Sequence, residues 1–510
     1  MKTASSNRPS FRRKAPLALA AAMTALLSAC AVGPDFSADK LNNTPDSYRY
    51  TNRLAEKTAA SPGLAGQSQH FVKAGDIPAS WWEIFQSPDL DRLIRTALQN
   101  SPNLASAQAA LRQSQENYQA QSGATLFPNV SGSLGAQRER ASAVQTNAPG
   151  GVNMNLYNAA VNVSYNVDLF GATRRGLEAA AAGVDVERYT LEAAYLTLTS
   201  NVVTTAVREA SIRAQVQATN DIIETQSHQL DVVERQFQVG AIPKSALLAQ
   251  RNLLAQTRAT LPGLQKALEQ NRNLLAVLVG QRPGEGDLPE FHLESLRLPT
   301  ALPVSIPSEL VRQRPDIRVA ESVLHQASAQ VGVATANQYP QLNLSAGYGF
   351  TSTRASDLFK DQSGFWSVGA GLTAPIFNAG SLASKRRAAE AAYDQAAAQY
   401  RATVLGAFQN VADSLQALEF DAQTLQQQAH VEAMAKETLE LTVRQYQLGG
   451  VNSLVLLDAK RSYYSARIGL VQAQANRYAD TAALFQSLGG GWWNRGELAD
   501  TSRPASPAAQ

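Results

Sequence analysis

Two stretches of this 510-residue chain repeat one another in the same order, and that duplication limits the possible folds more than any other feature. The block NSPNLASAQAALRQSQ from Asn100 answers QRPDIRVAESVLHQAS from Gln313, and LFPNVSGSLGA from Leu126 answers QYPQLNLSAGY from Gln338. Farther along, DLFGATRRGLEAA from Asp168 answers PIFNAGSLASKRRAAEAA from Pro375, and RQFQVGAIPKSALLAQR from Arg235 answers RQYQLGGVNSLVLLDAKR from Arg444. Pairing Pro102 with Pro315, Pro128 with Pro340, Phe170 with Phe377 and Gly240 with Gly449 gives offsets of 213, 212, 207 and 209 residues. So constant a spacing means one unit present twice. Each unit reads as a helix, two strands, a very long helix, a turn and a returning helix.

The long helices carry a heptad seam. Val404, Phe408, Val411, Leu415, Leu418, Ala422, Leu425 and Ala429 follow alternating steps of four and three, the pattern of a coiled coil. The first unit keeps those steps from Leu198 through Val202, Thr205, Glu209, Ile212, Val216, Thr219, Ile223, Gln226, Leu230 and Val233 to Phe237, with polar members among them. No proline occurs between Gly176 and Val239, and at ~1.5 Å per residue that run makes a rod of roughly 95 Å. The rods end at matched turns, Gln238 to Pro243 and Gln447 to Asn452. There Gly240 and the pair Gly449 and Gly450 are free to take positive φ. Returning helices are predicted over Lys244 to Gly280, with a kink at Pro262 and Gly263, and over Ser453 to Leu488.

Four segments alternate with period two. Tyr157, Ala159, Val161, Val163, Tyr165, Val167 and Leu169 oppose Asn158, Asn162, Ser164, Asn166 and Asp168. Leu342, Leu344, Ala346, Tyr348 and Phe350 oppose Gln341, Asn343, Ser345, Gly347 and Gly349; Trp366, Val368, Ala370 and Leu372 oppose Ser367, Gly369, Gly371 and Thr373. A weaker version covers Val130 to Ala136. These are strands with one apolar and one wet face. In a soluble sheet the apolar face covers a core. Here strands of about ten residues, aromatic side chains at Tyr157, Tyr165, Tyr348, Phe350 and Trp366, and polar connections over 138–155 and 351–364 favour a membrane barrel. Hydrocarbon tolerates no open sheet edge, and single-chain bacterial barrels start at about eight strands. Four strands therefore need other copies. Two copies would give the minimal, plugged size and three an aqueous lumen, a choice that strand counting leaves open.

The N-terminus reads as a secretion signal. Basic residues up to Lys14 precede an apolar run from Ala15 to Leu27 that is too short for a stable anchor. Leu27, Ser28, Ala29 and Cys30 resemble a bacterial lipobox, in which the cysteine takes a lipid and becomes the new N-terminus. Ala31 follows where an aspartate would resemble an inner-membrane retention signal. Residues 1–29 hold five basic side chains and no acidic one, against a formal charge of +3 for the chain, so the remainder is slightly acidic. That argues against nucleic acid as a partner. One cysteine and five scattered histidines offer neither a disulfide scaffold nor a metal cage, and no cofactor is expected beyond the lipid on Cys30. GxSxG, HExxH and a complete phosphate loop are missing from the sequence, so no enzyme activity is expected.

The segments CAVGPDF at Cys30, WWEIFQSPDLDRLI at Trp81, FPNVSGSLG at Phe127, PSELVRQRPDIRVAE at Pro307 and LVLLDAKRS at Leu454, taken in order, resemble the outer-membrane factors of tripartite efflux systems, the TolC-like and OprM-like channels. The resemblance implies an α+β membrane protein: a homotrimeric β-barrel with four strands per chain, continued by a long periplasmic α-helical coiled-coil tunnel. It implies a passive exit duct for small molecules such as drugs, opened by a periplasmic adaptor and an inner-membrane pump. Hairpin tips at Gly240, Ala241, Gly449, Gly450 and Val451 would meet the adaptor. Leu454 and Asp458 would narrow the periplasmic end, although Asp458 has the simpler option of pairing with Lys460 or Arg461. In the first repeat Ala249 occupies the matching position. Trp81 and Trp82 are expected in packing rather than at a ligand. The competing function is a structural or adhesive envelope coiled-coil lipoprotein without channel activity.

On this reading residues 1–29 are the signal peptide, 30–86 a lipidated segment and equatorial region, 87–280 the first repeat, 281–306 an equatorial linker, 307–488 the second repeat and 489–510 a tail. The expected setting is the outer membrane, with barrel and lipid both inserted.

Overall fold

Residues 32–37, 55–73, 75–142, 144, 149–286, 288–304 and 307–495 are described in a computed structural model of the chain. Cys30 and the signal lie outside the described residues. In chain order the elements are β1 (His70–Lys73), α1 (Pro88–Asn100), α2 (Pro102–Leu126), β2 (Asn129–Ala141), β3 (Val152–Val167), α3 (Ala172–Gln238), α4 (Lys244–Leu278), β4 (Ala301–Val304), α5 (Pro307–Gln313), α6 (Pro315–Ala336), β5 (Gln341–Ser352), β6 (Gly364–Thr373), α7 (Ser381–Gln447) and α8 (Ser453–Ser487), with short 3-10 turns between them.

The duplication is preserved in the backbone. Helices α3 and α7 each have 67 residues, α4 and α8 each have 35, and every end of the second pair lies 209 positions after its counterpart. Pro262 sits inside α4, which continues through the position where the kink is predicted. The chain divides into two compact units, one of residues 1–39, 111–187 and 320–400, the other of 40–110, 188–319 and 401–510.

The first unit holds an antiparallel sheet in the order β2-β3-β5-β6. Its register lines up the alternation on neighbouring strands. Val130 faces Val163 and Leu134 faces Ala159; Val161 faces Tyr348, and Tyr348 faces Trp366; Ala346 faces Val368 and Leu342 faces Leu372. Residues paired across strands share a face, so one face is apolar over all four strands. The other carries Ser131, Asn162, Gly347 and Ser367 in one row, and Asn166, Asn343 and Gly371 in another. The strands have 13, 16, 12 and 10 residues. The first hairpin is longer than its sequence pattern indicates, and much of the connection expected over 138–155 is strand. Tyr157 and Tyr165 lie eight positions apart, about 26 Å along a strand. Tyr348 and Trp366 share the level of Val161, between those tyrosines rather than beside either.

Among the described residues little covers that apolar face beyond the Phe359 ring, edge-on to Phe350 at 5.5 Å. Leu134 is 80% exposed, Trp366 76% and Val368 76%, and every residue of β6 is exposed. Among the described residues β2 and β6 each pair on one side only. Outside the sheet, no described helix is long and apolar enough to cross a membrane.

In the second unit the heptad seams are the core. Val411, Leu415, Leu418, Ala422 and Leu425 are buried along α7, and Leu198, Val202, Ile212 and Val233 along α3. At roughly 1.5–3 kcal/mol for each large apolar side chain buried, the seams hold each hairpin closed. Some polar positions of the first seam find partners, while the buried Gln226 side chain has none among the described residues. Glu209, fully buried, accepts from Arg213 at 2.7 Å and from Arg272 at 2.9 Å. Asn271 Nδ2 donates to the Thr205 carbonyl at 2.9 Å. Parallel pairing of β1 with β4 brings the segment near residue 70 beside the one near 302. Trp81 and Trp82 are buried here. Trp81 stacks on Phe485 at 5.7 Å, and Trp82 Nε1 donates to Asp91 at 3.0 Å, which accounts for both by packing. The RPD motif also has a structural role: Arg314 binds Asp316 through two hydrogen bonds across Pro315 and donates to the Ser487 carbonyl at 2.8 Å.

Neighbouring residues on opposite faces give a direct test of the sheet. A cation on the lipid face at mid-bilayer costs about 2–4 kcal/mol. Leu134→Arg is therefore expected to reduce membrane-inserted oligomer severely, while Ser133→Arg leaves it near the parental level. Outer-membrane fractionation followed by non-denaturing gels measures both.

Candidate functional site

The two hairpin tips are built alike. Helix α3 ends as Gly240 N–H reaches the Phe237 carbonyl at 3.0 Å and Ala241 N–H the Gln236 carbonyl at 2.8 Å. Helix α7 ends with the same bonds 209 positions later, Gly449 to Tyr446 at 3.1 Å and Gly450 to Gln445 at 2.8 Å. This left-handed cap satisfies carbonyls of the last turn. It needs positive φ at Gly240 (73°) and Gly449 (77°). Gly450, expected to share that conformation, does not. The starts of the returning helices differ. Asn452 caps α8, its Oδ1 accepting from Leu454 N at 3.0 Å and Val455 N at 3.1 Å, while Pro243 before α4 provides no side-chain cap.

Gly240, Ala241, Gly449 and Gly450 are exposed, and Val451 is half-buried. Beside them Val239 is 79% and Leu448 87% exposed, an apolar surface at the tips that the sequence reading had not singled out. Leu454 and Asp458 lie one turn apart on α8, hence on one face, and both are exposed. Neither Lys460 nor Arg461 forms an ion pair with Asp458 among the described residues. Arg461 donates instead to Gln256 Oε1 at 3.2 Å. Lys460 turns inward, into the wall of a small cavity of ≈ 20 Å³ between the hairpins that is also lined by Val233, Ile242, Ala249, Tyr446 and Leu456. Burial pushes its ammonium from 10.5 down to about 8.

The hairpins are joined by a ladder of polar contacts. Tyr446 OH donates to Gln236 at 3.4 Å, Arg461 to Gln256, Arg467 to Asp221 at 2.8 Å, and Gln472 to Gln215 at 3.4 Å. None of these pairs is predictable from the sequence, because each depends on the register between two hairpins about 200 to 260 residues apart along the chain. No three His, Cys, Asp or Glu side chains come together as a metal cage among the described residues.

A family model described as outer membrane efflux protein matches residues 93–281 and 306–490. The pyoverdine export outer membrane protein OpmQ of Pseudomonas aeruginosa is 32% identical over 443 residues, covering 84% of this chain and 92% of that protein. The cation efflux system protein CusC of Escherichia coli is 28% identical over 477 residues, covering 91% and 96%. Among solved structures, the outer-membrane channel OprN superposes with a TM-score of 0.80 at 30% identity, covering 91% of this chain and all of that one.

Lys460 generates a pH test with a definite sign. Between pH 8 and 10.5 the unfolded chain binds a proton here that the folded chain lacks, so stability rises with pH across that window. Lys460→Met is expected to raise the unfolding midpoint at pH 8 and to flatten the rise, as followed by helical circular dichroism in detergent.

Proposed function

The chain belongs to the outer membrane efflux protein family, and on that premise we propose how its own residues serve as the exit duct of a tripartite efflux system. It is an outer-membrane channel protein, a trimeric β-barrel with a helical periplasmic tunnel. The observation that carries the reading is the open four-stranded sheet with its largely uncovered apolar face, which only neighbouring copies and lipid can satisfy.

Strands β3, β5 and β6 contain no charged residue, and β2 only Arg138, Glu139 and Arg140 near its end. The face opposite the lipid side is mainly Asn, Ser, Gly, Gln and Thr, with Glu139 its one charged residue, near an end, so a lumen lined by it is wet, nearly neutral and unselective. Selection of cargo then falls to the inner-membrane pump and the adaptor. Relatives as similar as one described by pyoverdine export and one by cation efflux fit that division, and small-molecule export is the function proposed for this chain.

The exposed tips at Gly240, Ala241, Gly449, Gly450 and Val451, with Val239 and Leu448 beside them, are the surface proposed for the adaptor. Asp458 is the proposed gate, with Leu454 one turn above it in sequence. Three unpaired carboxylates brought near one axis repel each other and attract cations, while the three leucines form an apolar ring. The first repeat supplies only Ala249 at the matching place, so the charge comes from one hairpin per chain. Cys30 is proposed to carry the lipid.

Purified protein in planar bilayers is expected to conduct ions without an energy source, and deletion in the native cell to raise sensitivity to exported compounds; a bilayer that stays silent contradicts the channel. Asp458→Ala is expected to increase single-channel current severalfold while leaving thermal stability unchanged, because the exposed carboxylate makes no hydrogen bond or ion pair among the described residues. An unchanged current rejects the gate assignment.

A further inference from the structure

The segment just after Cys30, singled out by sequence as CAVGPDF, is seated in a built cradle within the first unit. Val32 N–H donates to the Phe170 carbonyl at 3.2 Å, just beyond the end of β3. Gly33, at φ 107°, lies directly on Gly332 of α6, where an added Cβ would stand 2.5 Å from the Gly332 Cα. Asp35 meets the buried Arg175 guanidinium of α3 at 2.5 Å. The Phe36 ring stacks on His325 of α6, centroids 4.5 Å apart and planes 12° apart. Behind them Glu178 joins the two sides, 2.7 Å from Arg175 and 2.8 Å from His325.

Together these contacts bridge the two repeats, and the Glu178–His325 pair joins them directly. Phe170, Arg175 and Glu178 belong to the first repeat and His325 and Gly332 to the second. At the matching places of the first repeat stand Arg112 and Gln119, both exposed, rather than His325 and Gly332. The occupant of the cradle described here is the chain's own N-terminal segment.

We propose that Val32–Phe36 is a staple that locks the first helix of the second repeat to the long helix of the first at the foot of the sheet, and thereby fixes where an N-terminal lipid enters the membrane. The segment acts as part of the fold rather than as a loose tether. Val32 lies two residue steps from Cys30, with Ala31 between them, and at ~3.6 Å per step a lipid on that cysteine would enter within about 7 Å of the staple. The lipid half of this statement rests on the reading of Cys30 given above; the staple half does not.

The test uses full-length protein in detergent, with hydrogen exchange read at residues 32–36 and oligomer dissociation read by heating. Gly33→Ala places a methyl group against the Gly332 backbone and forces an unfavourable φ. It is expected to speed exchange of the Val32 amide, which donates to Phe170, at least about tenfold and to lower the dissociation temperature. Phe36→Ala, which removes only the stacked ring, is expected to shift both readouts in the same direction by less. Cys30→Ser is expected to leave the exchange slow, because no contact of the cradle involves the lipid. Unchanged exchange in Gly33→Ala, or exchange as fast in Cys30→Ser as in Gly33→Ala, overturns the staple. An intact mass without acyl chains removes the lipid half alone.

Discussion

A sheet edge in hydrocarbon is a row of peptide groups with no partner, each costing several kcal/mol, and this chain has two such edges. Strands β2 and β6 pair on one side only, and the apolar face they bound is largely uncovered. Among the described residues nothing corrects either defect, so the sheet is completed by neighbouring copies. The second hairpin shares this dependence: α7 buries its seam and leaves Leu405, Phe420, Val431 and Leu441 exposed. A monomer would display both surfaces at once, well beyond what soluble proteins leave bare.

Duplication supplies the frame, and divergence between the copies supplies the chemistry. The hairpins agree in helix length and in tip hydrogen bonds. They differ at single positions that matter: Asp458 against Ala249, Lys460 against Arg251, Gly332 against Gln119. Arg251 lies on the surface and pairs with Glu234 at 2.8 Å, whereas Lys460 points into the cavity and loses hydration. The same backbone therefore places an exposed carboxylate and a buried ammonium two residues apart in one repeat and neither in the other.

Much of this was legible in the sequence because it rests on periodicity. Steps of four and three over Val411 to Leu425 and alternation over Tyr157 to Val167 each report a single backbone geometry, and both elements lie where those patterns put them. The glycines of the tips were legible for the same local reason. Alternation failed at the far end of β2, where Gln137 to Arg140 offer no apolar face yet stay paired with Asn153 to Leu156. There the ladder, not the side chains, extends the strand. The inter-hairpin contacts and the Gly33 cradle were illegible, since each needs the docking of segments far apart in sequence. The only trace of the cradle was the CAVGPDF motif itself, which matched a family without revealing what Gly33 touches.

The contacts within a hairpin and those between hairpins differ in strength. Within a hairpin the seam buries a large apolar side chain every three or four residues, each worth roughly 1.5–3 kcal/mol. Between hairpins the ladder of Tyr446, Arg461, Arg467 and Gln472 consists of polar bonds worth about 0.5–1.5 kcal/mol each, two of them at 3.4 Å. All four sit where water can replace the partner, which lowers the cost of separation further. These polar bonds are therefore individually weaker than the apolar seam contacts within each hairpin. The small cavity beside Lys460 lies in that weaker seam, where packing is already incomplete. Leu454 and Asp458 project from the hairpin that carries Lys460, so the side chains proposed for the gate sit on a hairpin that the weaker ladder joins to its neighbour.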